Sequence, residues 1–518
     1  MATPNEKLAE SLEVLKVLQD QGLIAVQSSE LSRVHRERLV KAGFLSEVVR
    51  GWFILTPNHE KPGDSTTWFS SYWNFCARYL SERFGNDYWI APDQSLKIYA
   101  GSWAVPTQLL VRSPKGTNSN TPLPYNTSMF SMVGSLPATA ELVEIDGIRM
   151  LSLPSALIHC SQAVYTGDAI DVRVALSLIS DSSQLLPLLL EGGHSTIAGR
   201  LVGAFRNIGR EKIADEIVKT MQSAGYTIRE TDPFDHPNPV SLSLREKSPY
   251  INRIKLIWQL MREGVLRHFP VAPGIATDVQ GYLESVDSIY VTDAYHSLSI
   301  ERYRVTPELI ERVRTGQWDH ASNEADKQQR DAMAARGYWQ ATQSVRHSIQ
   351  QILEGRNPGE AVDATRADWY RELFAPSVTA GILRPADLAG YRNNNVYIGQ
   401  SKHVPLNSEA VRDAMPVLFE LLQAEPEASV RAVLGHFIFV YIHPYADGNG
   451  RMGRFLMNTM LASGGYPWTV IPVEERERYM QALEAASVEQ NIEPFAEFIA
   501  YLVTEGMRGT PVAKLDGK

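Results

Sequence analysis

The spacing of apolar residues changes period several times along this chain, and each change marks a new element. Leu8, Leu12, Leu15 and Leu18 recur at helical intervals, predicting a helix over residues 5–20. Between Val26 and Leu55 the pieces are shorter. Ser28 or Ser29 caps a short helix through Glu30, a second helix carries Arg33, His35, Arg36, Arg38 and Lys41, and Gly43 stops it. Leu45–Leu55 then reads as two strands turned at Arg50-Gly51, so residues 1–60 form a helix-turn-helix with a wing. Residues 61–240 read as an α+β middle domain. Aromatic-rich runs (TWFSSYWNFCARYL, DYWIAP) are joined there by alternating strands at Gln108–Arg112, Glu141–Ile145 and Ile148–Leu153, and Ser161–Tyr226 is helical. Pro233–Pro239 (PFDHPNP) breaks the pattern as a linker, and residues 241–284 read as a helical linker region containing the amphipathic run Ile251–His268. From 285 to 510 nearly every segment has helical period, with helices expected over 325–358 and 361–374. The exception is Gly390–Leu406, where Val396, Ile398 and Val404 alternate around Gly399-Gln400 as a β-hairpin does. The fold class is therefore mainly α and multidomain.

Composition narrows the classes. The 518 residues allow about three domains at ~150 residues each. A hydrophobic content of 44% with 21% charged residues is that of a globular chain with a proper core. The net charge of −9 argues against general polyanion binding, although a local basic patch is compatible with it. With two cysteines, Cys76 and Cys160, neither a disulfide framework nor a cysteine zinc site is expected. No apolar run reaches the ~18 residues of a membrane span and the first residues make no signal peptide, so no membrane partner and a cytoplasmic location are expected.

The chemistry concentrates at His443-Pro444-Tyr445-Ala446-Asp447-Gly448-Asn449-Gly450-Arg451-Met452-Gly453-Arg454. Arg431–Ile442 before it is apolar almost all round, a buried helix, and after the turn RMGRFLMNTMLASGG resumes as a helix. His443 is a base with an ordinary pKa of about 6.5. Asp447 is a hard oxygen ligand of the kind Mg²⁺ takes alongside substrate phosphates. Gly448 and Gly450 bare the backbone where a new helix presents N–H groups to an anion, and Arg451 and Arg454 project from its first turn. A base, a metal carboxylate, an anion nest and two arginines together describe nucleotide chemistry. Gly448-x-Gly450-x-x-Gly453 is also a formal dinucleotide fingerprint. That fingerprint follows a strand directly, whereas five residues including His-Pro intervene here, so the Rossmann reading is set aside.

HPYADGNGRMGR resembles the Fic-family signature, with Tyr445 at its usual Phe position. The resemblance implies a protein adenylyltransferase, which moves AMP from ATP to a hydroxyl of a target protein with Mg²⁺. It implies His443 as base, Asp447 as metal ligand, and Asp447, Gly448, Asn449, Gly450, Arg451 and Arg454 on the nucleotide; Tyr479 would face adenine. Relatives of the Doc type carry Lys at the Gly450 position and transfer phosphate, so Gly450 favours adenylyl transfer. Upstream, Ser297 and Glu301 stand four apart and match the family's inhibitory helix, whose glutamate pairs with the second arginine, here Arg454. Arg302 departs from the Gly or Asn expected next. In the family, the segment holding Val396, Tyr397, Ile398 and Gly399 is a flap that docks the target as an added strand. The first sixty residues resemble the amino-terminal domain of abortive-infection type antitoxin regulators, which makes DNA a candidate partner through residues 28–55. The competing reading is a solvated face, since Glu37 and Glu47 interrupt the positive run. The alternatives to transfer are a DNA-binding regulator that senses nucleotide, a toxin–antitoxin component on one chain, and AMP removal from a modified protein.

Overall fold

The computed structural model describes residues 3–56, 64–238, 248–316 and 330–515. The chain is mainly helical and divides into two compact units. The first comprises Met1–Pro249 with Tyr397–Val404, and the second Tyr250–Val396 with Pro405–Lys518.

The first unit begins with α1 (Pro4–Asp20), started by a Thr3–Glu6 capping box, and α2 (Arg33–Lys41), capped by Ser32. Strands β1 (Ala25–Gln27), β2 (Leu45–Val49) and β3 (Trp52–Leu55) form an antiparallel sheet in the order β1-β3-β2. Leu15, Val26, Leu31, Leu39, Leu45 and Phe53 close a small core beneath it. A larger, aromatic core follows. Trp68, Tyr72 and Phe75 on α3 (Thr66–Phe84) pack against a four-stranded sheet of β4 (Trp89–Ile90), β5 (Gln108–Ser113), β6 (Ser119–Leu123) and β7 (Thr127–Val133), in the order β4-β5-β7-β6. The β5–β7 pair is parallel, and β8 (Leu142–Ile145) and β9 (Ile148–Leu151) form a separate hairpin whose Ile148 and Met150 join the same core. Helices α4 (Pro92–Tyr99), α5 (Leu153–His159), α6 (Val164–Gly167), α7 (Ala169–Ser177), α8 (Leu186–Glu191), α9 (Ser195–Asn207) and α10 (Glu211–Ser223) complete the unit. Phe234 of the proline-rich stretch is buried, its ring against Tyr165 and under the guanidinium of Arg173. Residues 239–247, part of the expected linker, lie outside the described residues.

The expected β-hairpin at 390–406 requires correction, because this segment carries no strand. It turns at Gly399-Gln400, with Gln400 at a positive φ of 64°. Within the first unit the backbone of Tyr397–Val404 bonds to the rest of that unit: Gln400 N–H donates to Thr66 Oγ1 (3.2 Å) and the Lys402 carbonyl accepts from Val105 N–H (2.8 Å). Val404 packs on the aromatic core. One turn bond, Ser401 N–H to Ile398 O (3.2 Å), joins the two arms, and no ladder forms.

The second unit is all-helical: α11 (Pro249–His268), α12 (Val279–Ile300), α13 (Pro307–Arg314), α14 (Arg330–Leu353), α15 (Pro358–Thr379), α16 (Ser408–Ala424), α17 (Ala428–Ile442), α18 (Asn449–Ala462), α19 (Arg476–Val488) and α20 (Glu493–Met507). Helix α11, within the stretch read as a linker region, is built into this unit. Its Trp258 and Arg262 both donate to the buried carboxylate of Glu425. Helix α17 is buried on nearly every side, as its unbroken apolar sequence requires, and α18 returns antiparallel beside it.

Candidate active site

The turn between α17 and α18 is held by its own side chains. Asn449 spans it, its amide oxygen accepting from Tyr445 N–H (2.9 Å) and its amide nitrogen donating to the Tyr445 carbonyl (2.8 Å). Tyr445, where the family signature has Phe, stacks flat on Tyr370 with ring centroids 3.9 Å apart. Gly448 caps α18 at φ 81°, and a Cβ there would strike the ring of Phe374 at 2.7 Å, so both conformation and space demand glycine. The first N–H groups of α18 are thereby left at the mouth of the turn, with no helical partners of their own.

His443 ends α17 in the left-handed conformation, φ 55° and ψ 61°. Its N–H bonds Phe439 O, and its Nδ1 lies 3.2 Å from Val440 O. A carbonyl accepts only from a protonated Nδ1, so Nε2 carries the free lone pair. Burial pulls the imidazole pKa down to about 4, the Val440 carbonyl opposes this, and the charge of Arg392 reinforces it. The ring is a neutral base at physiological pH. Asp447 is mostly exposed, with one oxygen accepting from Gly448 N–H (2.6 Å) and the other 3.7 Å from Arg451. A single exposed carboxylate suits Mg²⁺, which takes its remaining ligands from phosphates and water. Among the described residues no cluster of three or more His, Cys, Asp or Glu side chains forms an all-protein metal cage.

The two arginines differ. Arg451, 1% exposed, lies between the rings of Tyr303 (5.1 Å) and Phe374 (4.9 Å), with its Nε unpartnered. Arg454, 3% exposed, is held by α12 through two of its three guanidinium nitrogens, and its Nη1 is unpartnered. Its Nε donates to Ser297 Oγ (2.9 Å), and its Nη2 donates to the Ser297 carbonyl (3.0 Å) and to Glu301 Oε1 (2.8 Å). Burial is the largest influence on both members of this pair and opposes their charge, but the partner's charge, the neighbouring groups and the hydrogen bond between them together outweigh it: the Glu301 carboxyl is held below its ordinary range and the Arg454 guanidinium is raised. Glu301 also lies across Gly450. A Cβ at that position would come 2.3 Å from its Oε1, so the carboxylate fills the approach that the bare backbone leaves open.

Glu301 is the C-cap of α12, and Arg302 follows at φ 66°. Arg302 N–H bonds Ser299 O (2.9 Å) and Tyr303 N–H bonds Leu298 O (3.1 Å), a Schellman ending with arginine in the glycine position.

Of the expected site residues, the structure brings His443, Asp447, Gly448, Asn449, Gly450, Arg451, Arg454, Ser297 and Glu301 together. Tyr479 stands apart from the surface. It is 1% exposed, its hydroxyl on His436 Nε2 (2.8 Å) and its ring among Phe495 and Phe498, and it adjoins Arg454 and Glu301 from the core side of the site. Val396 belongs to the second unit, whereas Tyr397, Ile398 and Gly399 belong to the first. In the winged region, Arg36 donates to Ser28 O and Arg38 to Lys7 O; Arg33 and Lys41 are exposed on α2, with Arg33 paired to Glu37 (2.7 Å). Sequence reasoning missed Arg392, Tyr303 and Phe374, none of which belongs to a motif or a periodic stripe pointing at the loop.

An open helix start, a neutral histidine beside it and two buried arginines thus meet in the all-helical second unit. Residues 367–461 match the Fic/DOC family, and the chain carries a Fic/DOC domain there. The chain is 39% identical over 124 residues to the protein adenylyltransferase Fic of Drosophila virilis, covering 23% of this chain and 25% of that protein. It is 37% identical over 124 residues to that of Drosophila melanogaster, again 23% and 25%. The chain thus spans about a quarter of the length of these curated relatives. Among solved structures, Fic-1 (residues 134–508) from C. elegans aligns at 17% identity and a TM-score of 0.36, over 66% of this chain and 97% of that one. A Fic domain containing signaling protein from Bacteroides thetaiotaomicron aligns at 16% identity and a TM-score of 0.34, over 52% and 100%.

Proposed function

We propose that this protein is a nucleotidyltransferase that moves AMP from ATP to a hydroxyl side chain of a target protein, and that Glu301 and Ser297 hold it inhibited. One observation carries the reading. The Glu301 carboxylate sits on Arg454 and across Gly450, an anion of the protein's own placed where a phosphate would be bound. The curated relatives that share the domain are named protein adenylyltransferases, which supports the same chemistry.

In this mechanism the target hydroxyl gives its proton to His443 Nε2. Its oxygen bonds to the α-phosphorus of ATP, and the bond from that phosphorus to the bridging oxygen of the β-phosphate breaks, releasing pyrophosphate. The N–H groups of Asn449 and Gly450, with Arg451 and Arg454, stabilise charge on the phosphates. Asp447 would hold Mg²⁺ jointly with those phosphates, and the chemistry supplied there is neutralisation of phosphate charge. The buried, unpartnered Nε of Arg451 fits a site whose ligand is an anion. While Glu301 occupies Arg454, that arginine is withheld from the nucleotide.

The target-docking role of Val396, Tyr397, Ile398 and Gly399 belongs to this proposal, as do the division into segments 1–60, 61–240, 241–284 and 285–510 and a cytoplasmic location. No helix among the described residues is long and apolar enough to cross a membrane. The exposed cations Arg33 and Lys41 on α2, beside the wing of β2 and β3, support a separate role for residues 28–55 in binding DNA. The test of the enzymatic reading is incubation with α-labelled ATP and cell lysate, followed by mass spectrometry for AMP adducts. Label on protein that depends on His443 is expected; a lysate that never acquires label from parent or Glu301→Gly protein contradicts it.

A further inference from the structure

Arg392 lies in the second unit, 4% exposed, in a polar run with no helical or strand period. Its guanidinium donates from Nε to His443 O (2.7 Å), from Nη1 to Asn394 O (2.9 Å), and from Nη2 to Leu406 O and Ile442 O (3.4 Å for the last). Its backbone N–H donates to Pro444 O (3.0 Å). One residue thus takes up the carbonyls of Ile442 and His443 with its side chain and that of Pro444 with its backbone N–H, and ties them to both ends of the flap segment. No carboxylate among the described residues pairs with it, and burial draws its pKa down to about 10. A buried cation satisfied wholly by carbonyl oxygens is costly unless its geometry is needed, because desolvation is repaid only by those bonds. What it fixes is the carbonyl of a residue in a sparsely populated conformation, His443 at φ 55°.

We infer that Arg392 is a positioning residue for the transfer reaction: it locks His443 in its left-handed conformation and couples the orientation of the base to the base of the flap. This rests on the adenylyltransferase reading above. Arg392 touches neither the loop carboxylate nor the two arginines of the nucleotide site, so its loss acts through His443. A second effect runs in the same direction. The groups facing the imidazole are Arg392, Glu301 and Asp447; the two carboxylates favour protonation and Arg392 opposes them, keeping the base free.

The experiment compares Arg392→Lys and Arg392→Met in the Glu301→Gly background, where inhibition is relieved, measuring kcat and KM for ATP across pH. Arg392→Met should lower kcat about 100-fold, the scale of a misplaced catalytic group, with KM for ATP within about twofold. Arg392→Lys, which keeps the charge and one donor, should recover part of the loss. The acid limb of the pH–rate profile should move to higher pH in Arg392→Met and stay nearer its original position in Arg392→Lys. A merely structural arginine would lower the fraction of active protein without moving that limb. Unchanged kcat in both variants, or a loss with an unmoved limb, overturns the inference. No transfer even by the Glu301→Gly protein overturns the functional reading beneath it, a result distinct from either of these.

Discussion

The two helices that deliver the key side chains end alike and are held differently. Helix α17 stops at His443 and α12 stops just before Arg302, and both residues take the left-handed conformation that glycine usually supplies. Each costs about 1–2 kcal/mol over a relaxed backbone. At His443 the strain is over-determined, with a buried guanidinium on the carbonyl, a helical bond on the N–H and the Val440 carbonyl on the ring. At Arg302 the backbone closes on itself through two bonds and the side chain is exposed. The base therefore sits on an end whose strained residue is itself held, whereas at the glutamate's end the nearest bond to the backbone from outside is Arg476 Nε to the Ile300 carbonyl (2.9 Å), two residues before Arg302. A switch needs that asymmetry, since strain persists where neighbours hold it and yields where they do not.

Breaking the held end has the largest expected effect. His443→Ala removes the group that takes the hydroxyl proton, so transfer should fall by about 10²–10⁴-fold while ATP affinity, read by calorimetry, stays close to that of the parent. Acid should reach the two ends at different pH. The folded pKa of His443, about 4, lies below that of an unfolded histidine. The folded base thus stays neutral as pH falls through about 6.5, while the unfolded chain takes up protons and stability declines toward pH 4. The Glu301 pKa is also depressed, and its stabilisation of the pair is present above the ordinary carboxylate range and lost only as pH falls through the folded value. The ratio of Glu301→Gly to parent activity should therefore be flat between about pH 5.5 and 8, and a ratio that collapses toward pH 6 would place another group in control. The smallest effect is expected from relaxing the other end. Arg302→Gly removes about 1 kcal/mol of backbone strain and should tighten inhibition, lowering parent activity by up to about fivefold. Faster transfer by Arg302→Gly would mean that the arginine side chain helps hold α12.

The loop was legible because its residues serve local purposes: the glycine at 448 proves necessary for reasons of φ and of space, and a Cβ at 450 would meet the Glu301 carboxylate. The Ser297–Glu301 spacing likewise put both groups on one face of α12, and that face meets Arg454. Period fails where partners are remote. The alternation of Val396, Ile398 and Val404 describes an extended segment without saying what it bonds to, and its backbone partners are Thr66 and Val105. Arg36 and Arg38 look as free as Arg33 in the sequence, yet each caps a carbonyl of its own domain. Arg392 shows no pattern at all, since a buried arginine bonded to main-chain oxygens needs no particular neighbours in sequence.

The central claim is that Glu301 withholds Arg454 from the nucleotide, and it is tested most directly by the rate of AMP incorporation in the parent, in Glu301→Gly and in Glu301→Gly combined with Arg454→Ala. The account predicts a slow parent, a single variant about tenfold faster or more, including on itself, and a double variant that is inactive because the freed arginine is then missing. A Glu301→Gly protein slower than its parent would contradict the account and make the glutamate a participant in the chemistry, as AMP removal would require.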